Sequence, residues 1–85
     1  MLKMTDYVFK IYSPSGKTVL TWHFGDDRFA ESFYVEGCKI IFHYDISVEL
    51  FKFSSTDRAR DVLHQLIAHY LNGQCFKLPN YTKFY

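Results

Sequence analysis

Residues 53–73 read FSSTDRARDVLHQLIAHYLNG, and the fold turns on how this stretch is read. Ala59, Val62, Leu63, Leu66, Ile67, Tyr70 and Leu71 recur at spacings of three and four. On a 3.6-residue period they form one wide apolar stripe, which must be buried. Arg58, Asp61, Gln65, Ala68 and Asn72 fall on the opposite face, with Arg60, His64 and His69 on its flanks. Ser54 or Ser55 can accept a hydrogen bond from the unpaired first-turn amides, and Asp57 places negative charge at the positive end of the helix dipole. Asn72 and Gly73 tolerate the left-handed conformation that closes a helix. The spacing predicts a helix over residues 55–72.

Upstream, the chain reads as a sheet for this helix to cover. Residues 7–12 alternate with period two, Pro14, Ser15 and Gly16 supply a turn, and an aromatic, β-branched run follows over residues 18–24. In this hairpin Tyr7, Phe9, Ile11, Leu20, Trp22 and Phe24 share the inner face, while Val8, Lys10, Tyr12, Val19, Thr21 and His23 share the outer one. Residues 28–32 suit either a strand entry or one helical turn with Phe29 and Phe33 four apart; the strand is the expectation. Glu36 and Gly37 suit a two-residue hairpin connection. That register sets Val35 opposite Cys38, Phe33 opposite Ile40 and Glu31 opposite Phe42 inside, and Tyr34 opposite Lys39 and Ser32 opposite Ile41 outside. A last strand reaches residue 53, with Ile46, Val48 and Leu50 inward and Phe51 and Phe53 outward.

The expected fold is α+β. One small domain spans residues 1–85 in the order β-β-β-β-β-α: a twisted antiparallel sheet over residues 7–53 and one long C-terminal helix packed on one face. Residues 74–85, QCFKLPNYTKFY, contain Pro79 and scattered aromatics. They form either a docked extended segment or a partner-binding arm.

Eighty-five residues must build an efficient core, and nine Phe, seven Tyr and one Trp supply its volume. The two cysteines, Cys38 and Cys75, have no metal or redox spacing. Without a secretory leader or an apolar run they are expected reduced in a cytoplasmic protein that has no membrane span. The formal net charge of +1 exerts no overall pull toward nucleic acid or anionic membrane.

No pattern predicts a cofactor or a metal. Gly16, Gly25, Gly37 and Gly73 are spread singly, so no phosphate-cradling loop is present. Asp26, Asp27 and Glu31 lack the spacing of a calcium loop. His64 and His69 are five apart, which on a helix turns them roughly 140° from each other. His23 and His43 share the expected outer face and would meet if their strands paired, which makes a small hydrolase using this pair the third-ranked function.

The leading expectation is a non-catalytic, macromolecule-binding module, a small regulator or inhibitor such as a phage or mobile-element accessory protein, acting by protein–protein contact or self-association. Its surface is the outer sheet face with Tyr12, His23, Tyr34, Lys39, Ile41, His43 and Phe51, since large exposed apolar patches mark contacts. The alternative is a single-stranded DNA or RNA binder that stacks bases on Tyr34 and Phe51 and neutralises phosphates with Lys10, Lys39 and Lys52. Against it stand the low net charge and Glu49.

Overall fold

The first hairpin forms as its alternation predicts. In the computed structural model, which describes residues 8–25, 28–44 and 47–83, β1 (Val8–Tyr12) pairs antiparallel with β2 (Thr18–His23). The expectations for Tyr7, Asp26, Asp27 and Ile46 lie outside the described residues. Phe9 stands opposite Trp22 and Ile11 opposite Leu20, so one face carries all four. Phe9 and Ile11 are fully buried, with Leu20, Trp22 and Phe24 packed against the same core. The register then slips: Ile11 faces Leu20 but Tyr12 faces Thr18, which leaves Val19 as the extra residue of a bulge. Val19 accordingly packs against the core, not on the outer face where alternation put it.

Arg28–Glu31 is a helical turn, α1, and not a strand. The turn brings the Phe29 and Phe33 ring centroids to 4.9 Å. It also drives Phe29 into an aromatic cluster, 5.2 Å from Phe9, 5.6 Å from Trp22 and stacked 4.2 Å from Tyr70. In a strand Phe29 and Phe33 would share a face but stand roughly 13 Å apart, too far for their rings to meet. Ser32 ends the turn, its hydroxyl donating to the Arg28 carbonyl oxygen at 2.8 Å.

A four-stranded sheet contains β3 (Phe33–Glu36), β4 (Lys39–Tyr44) and β5 (Ser47–Lys52). The β3–β4 connection is Gly37 and Cys38, not Glu36 and Gly37: Glu36 pairs with Lys39, Val35 with Ile40, Tyr34 with Ile41 and Phe33 with Phe42. Gly37 carries the positive φ, +62°, that the tight turn needs. Each partner moves by two positions from the predicted register, and a shift of two preserves the face. Phe33, Ile40 and Phe42 are therefore buried inside, as expected.

On β5 the faces are reversed from the prediction. Ile40 stands opposite Phe51, Ile41 opposite Leu50 and His43 opposite Val48. Phe51 is 2% exposed and belongs to the core with Phe53, whereas Val48 is 50% exposed.

The long helix α2 spans Thr56–Leu71. Ser55 caps it, its hydroxyl accepting from the Arg58 amide at 3.1 Å. Gly73 has φ +73°, and the Gln74 amide donates to the His69 carbonyl oxygen at 2.9 Å, which closes the last turn. Ala59, Val62, Leu66 and Tyr70 are buried against β3, β4 and the first sheet, with Leu63 and Ile67 at the margin. Leu71, assigned by periodicity to the same stripe, is 77% exposed.

One sheet was expected; the strands form two, and the tail adds a strand to each. Its Phe76–Lys77 segment, β6, runs parallel to β1 and completes a three-stranded sheet in the order β2-β1-β6. Thr82–Lys83, β7, then pairs antiparallel with β5, giving the order β3-β4-β5-β7. The Leu78 amide donates to the Tyr12 carbonyl oxygen at 2.8 Å, while Phe76 and Leu78 are buried. Between the two short strands Tyr81 sits edge-on to Phe51, with ring centroids 5.0 Å apart. The tail is a docked segment that ties both sheets into a single core.

Candidate interaction face

The outer surface of the four-stranded sheet is an ordered grid. Successive cross-strand neighbours form three rows: Glu36, Lys39 and Lys52; Tyr34, Ile41 and Leu50; Ser32, His43 and Val48. The rows follow from the register alone, because directly opposed residues of an antiparallel pair share a face. Ile41, at the centre, is 7% exposed. Tyr34 is 48% exposed and Val48 50%. Among the described residues the exposed large hydrophobics are Tyr34, Val48 and Leu71, so this face carries two of the three. A charged row bounds it on one side and His43 stands beside Val48 on the other.

The predicted partner surface is thus divided. Tyr34, Lys39, Ile41 and His43 belong to the grid. Tyr12 and His23 lie on the other sheet, with Tyr12 half-buried beside Lys77. Phe51 is removed altogether, since it points into the core and Tyr81 covers it. Val48 and Leu50 join the face instead. A sequence signal for them existed: if Tyr44 and Ser47 are taken as opposed ends of a two-residue connection, Ile41 must meet Leu50 and His43 must meet Val48.

The same geometry breaks up the nucleic-acid set. Buried Phe51 has no face to offer a base, and Lys10 projects from the first sheet while Lys39 and Lys52 stand opposite each other on the second. Tyr34 alone remains as an exposed stacking surface from that proposal. Glu49 stands opposite Phe42 in the register, outside the three rows.

The histidine pair is also separated. His23 pairs with Val8 in the first sheet and His43 with Val48 in the second, so their strands do not neighbour each other. His69 is engaged locally, its Nδ1 2.7 Å from the Gln65 carbonyl oxygen and its ring 4.8 Å from that of Phe76. Among the described residues no group of three His, Cys, Asp or Glu side chains is arranged to hold a metal ion. Cys38 and Cys75 are free thiols; Cys38 sits half-buried in the β3–β4 turn, not in the core, and exposed Cys75 lies 3.8 Å from the Val8 carbonyl oxygen. No helix among the described residues is long and apolar enough to cross a membrane.

Compared with protein-family models, with curated proteins and with solved structures, the chain matches none.

Proposed function

We propose that this chain is a stoichiometric protein-binding module, a small regulator or inhibitor, and that it engages its partner through the outer face of the four-stranded sheet. The observation that carries this reading is that Tyr34 and Val48, each about half exposed, stand on one face with Ile41 and Leu50. A water-exposed sheet face gains stability from polar residues at such positions, whereas a contact surface gains affinity from an aromatic and aliphatic centre with a polar rim. Glu36, Lys39, Lys52 and His43 supply that rim. Tyrosine suits the role because its ring gives contact area at little entropic cost and its hydroxyl remains hydrogen-bonded when wet or buried.

Site-specific photo-crosslinking in the native cell tests this. A crosslinking amino acid at position 48 should capture one defined protein, while the same group at Ala68, exposed on the outer side of α2, should not. Equal capture from positions 48 and 68, or none from position 48, refutes the assignment of the face.

A further inference from the structure

The apolar row that crosses this face ends at β3, a strand edge that no other described strand pairs with. The His43 amide donates to the Ser32 carbonyl oxygen at 2.8 Å, and this bond sets the phase of the β3–β4 ladder. An antiparallel ladder alternates pairs that exchange both backbone hydrogen bonds with pairs that exchange none. Ser32–His43 and Tyr34–Ile41 are therefore bonded pairs, and Phe33–Phe42 and Val35–Ile40 are not. The amides and carbonyls of Phe33 and Val35 point away from β4, toward the side where the sheet order ends.

The edge of the first sheet is guarded differently. The Tyr12 carbonyl, bonded to the Leu78 amide, turns toward β6, so Lys10 and Val8 turn the same way and Phe9 and Ile11 face β2. Thr21 and His23 then carry the outward groups of β2. The bulge at Val19 interrupts that edge at one end, and the Tyr70 hydroxyl occupies the His23 carbonyl at the other, at 2.9 Å. Bulges, lysines and prolines are among the usual means of blunting an edge, with short strands and other charges. The four-residue β3, FYVE, has no bulge, lysine or proline, and its one charge is the terminal Glu36.

We infer that the β3 edge is closed by a second copy of the chain, the two β3 strands pairing antiparallel about a two-fold axis at Tyr34. The edge is complementary to itself in this register. Phe33 stands opposite the partner's Val35 and Val35 opposite the partner's Phe33, and both pairs present outward amides and carbonyls, for about four interchain backbone hydrogen bonds. Glu36 stands opposite the partner's Ser32, so no acid faces an acid. Tyr34 meets the partner's Tyr34 on the outer face, an aromatic cross-strand pair. The two Tyr34–Ile41–Leu50 rows then run on as one across both copies. The dimer is held by the backbone groups of the strand edge and shares only Tyr34 with the proposed partner surface, so Val48 reports on that surface alone and Val35 on the edge alone.

Sedimentation of the full chain across a concentration series tests it. The mass should rise from 10.1 kDa toward twice that value. Val35→Pro removes an outward amide that takes no part in the β3–β4 ladder, a substitution that edge strands tolerate. Its circular dichroism should match wild type while dimer dissociation rises at least about tenfold, the loss expected when interchain bonds worth more than about 1.4 kcal/mol are removed. Tyr34→Lys, at an exposed side chain, places like charges together at the axis and should weaken the dimer in a salt-sensitive way, which keeps the test decisive if the proline variant unfolds. A wild-type chain that stays at single mass up to its solubility limit overturns the inference. So does a dimer indifferent to Tyr34→Lys; one broken instead by Val48→Asp would place self-association on the face.

Discussion

The Tyr70 hydroxyl donates to the backbone carbonyl oxygen of His23 at 2.9 Å, joining the last turn of α2 to the end of β2. The same ring stacks on Phe29 at 4.2 Å and on Phe24 at 5.5 Å, so one side chain binds the helix, the first hairpin and α1 together. Tyr70→Phe retains the rings and removes the hydrogen bond. It should cost about 1 kcal/mol, a fall of roughly 4–8 °C in melting temperature for a domain of this size. An unchanged melt would mean that water replaces the hydroxyl without loss. Tyr70→Ala removes the stacking as well and should cost about 3–5 kcal/mol.

Phe51 and Tyr34 lie on opposite faces of one sheet and should respond oppositely to truncation. Phe51→Ala opens the core beneath Tyr81 and should cost about 3–5 kcal/mol in urea unfolding. Tyr34→Ala, at an exposed site, should change stability by no more than about 0.5 kcal/mol. Comparable losses from both would place Tyr34 within the folded core, against the assignment of the faces.

The tail is expected to be structural. Leu78→Ala, at a position 2% exposed, should cost about 2–5 kcal/mol, a large part of the roughly 5–15 kcal/mol typical of a whole domain. Removal of residues 74–85 deletes β6 and β7 together and should abolish cooperative unfolding, read by circular dichroism during heating. A truncated chain that melts sharply would show that the two sheets hold without their shared segment.

Gly37 begins the β3–β4 turn at φ +62° in open space, so backbone strain alone opposes a side chain there. Gly37→Asn should be nearly neutral, while Gly37→Val should cost about 1–2 kcal/mol or more. Equal melting temperatures for the two variants would contradict the turn geometry.

The sequence made the elements with strong periodicity legible. The α2 stripe and its Ser55 cap follow from spacing and capping chemistry, and Phe9, Ile11, Leu20 and Trp22 follow from period two. Two kinds of information were not local. The facing of β5 depended on its register with β4: the alternation of SVEL puts Val48 and Leu50 inside, while Phe51 and Phe53 make the strand's end apolar on both faces, and only the pairing with β4 selects Phe51. The role of α1 depended on distant rings, Phe9, Trp22 and Tyr70, that reward a helical turn at Phe29. Of the face, Tyr34, Lys39, Ile41 and His43 were found because a two-residue register shift leaves facing unchanged; Phe51 was misplaced with its strand.

The central claim is that the Tyr34, Ile41, Val48 and Leu50 face binds a protein while the buried aromatic core only supports it. Its most direct test is the affinity of the partner captured by crosslinking at position 48, measured by titration calorimetry against wild type, Val48→Asp and Tyr34→Ala, with melting temperatures taken in parallel. The account predicts that each variant melts within a few degrees of wild type and that Val48→Asp weakens binding by at least about 1.4 kcal/mol, tenfold or more. Unchanged affinity in both variants, with the fold intact, would contradict it.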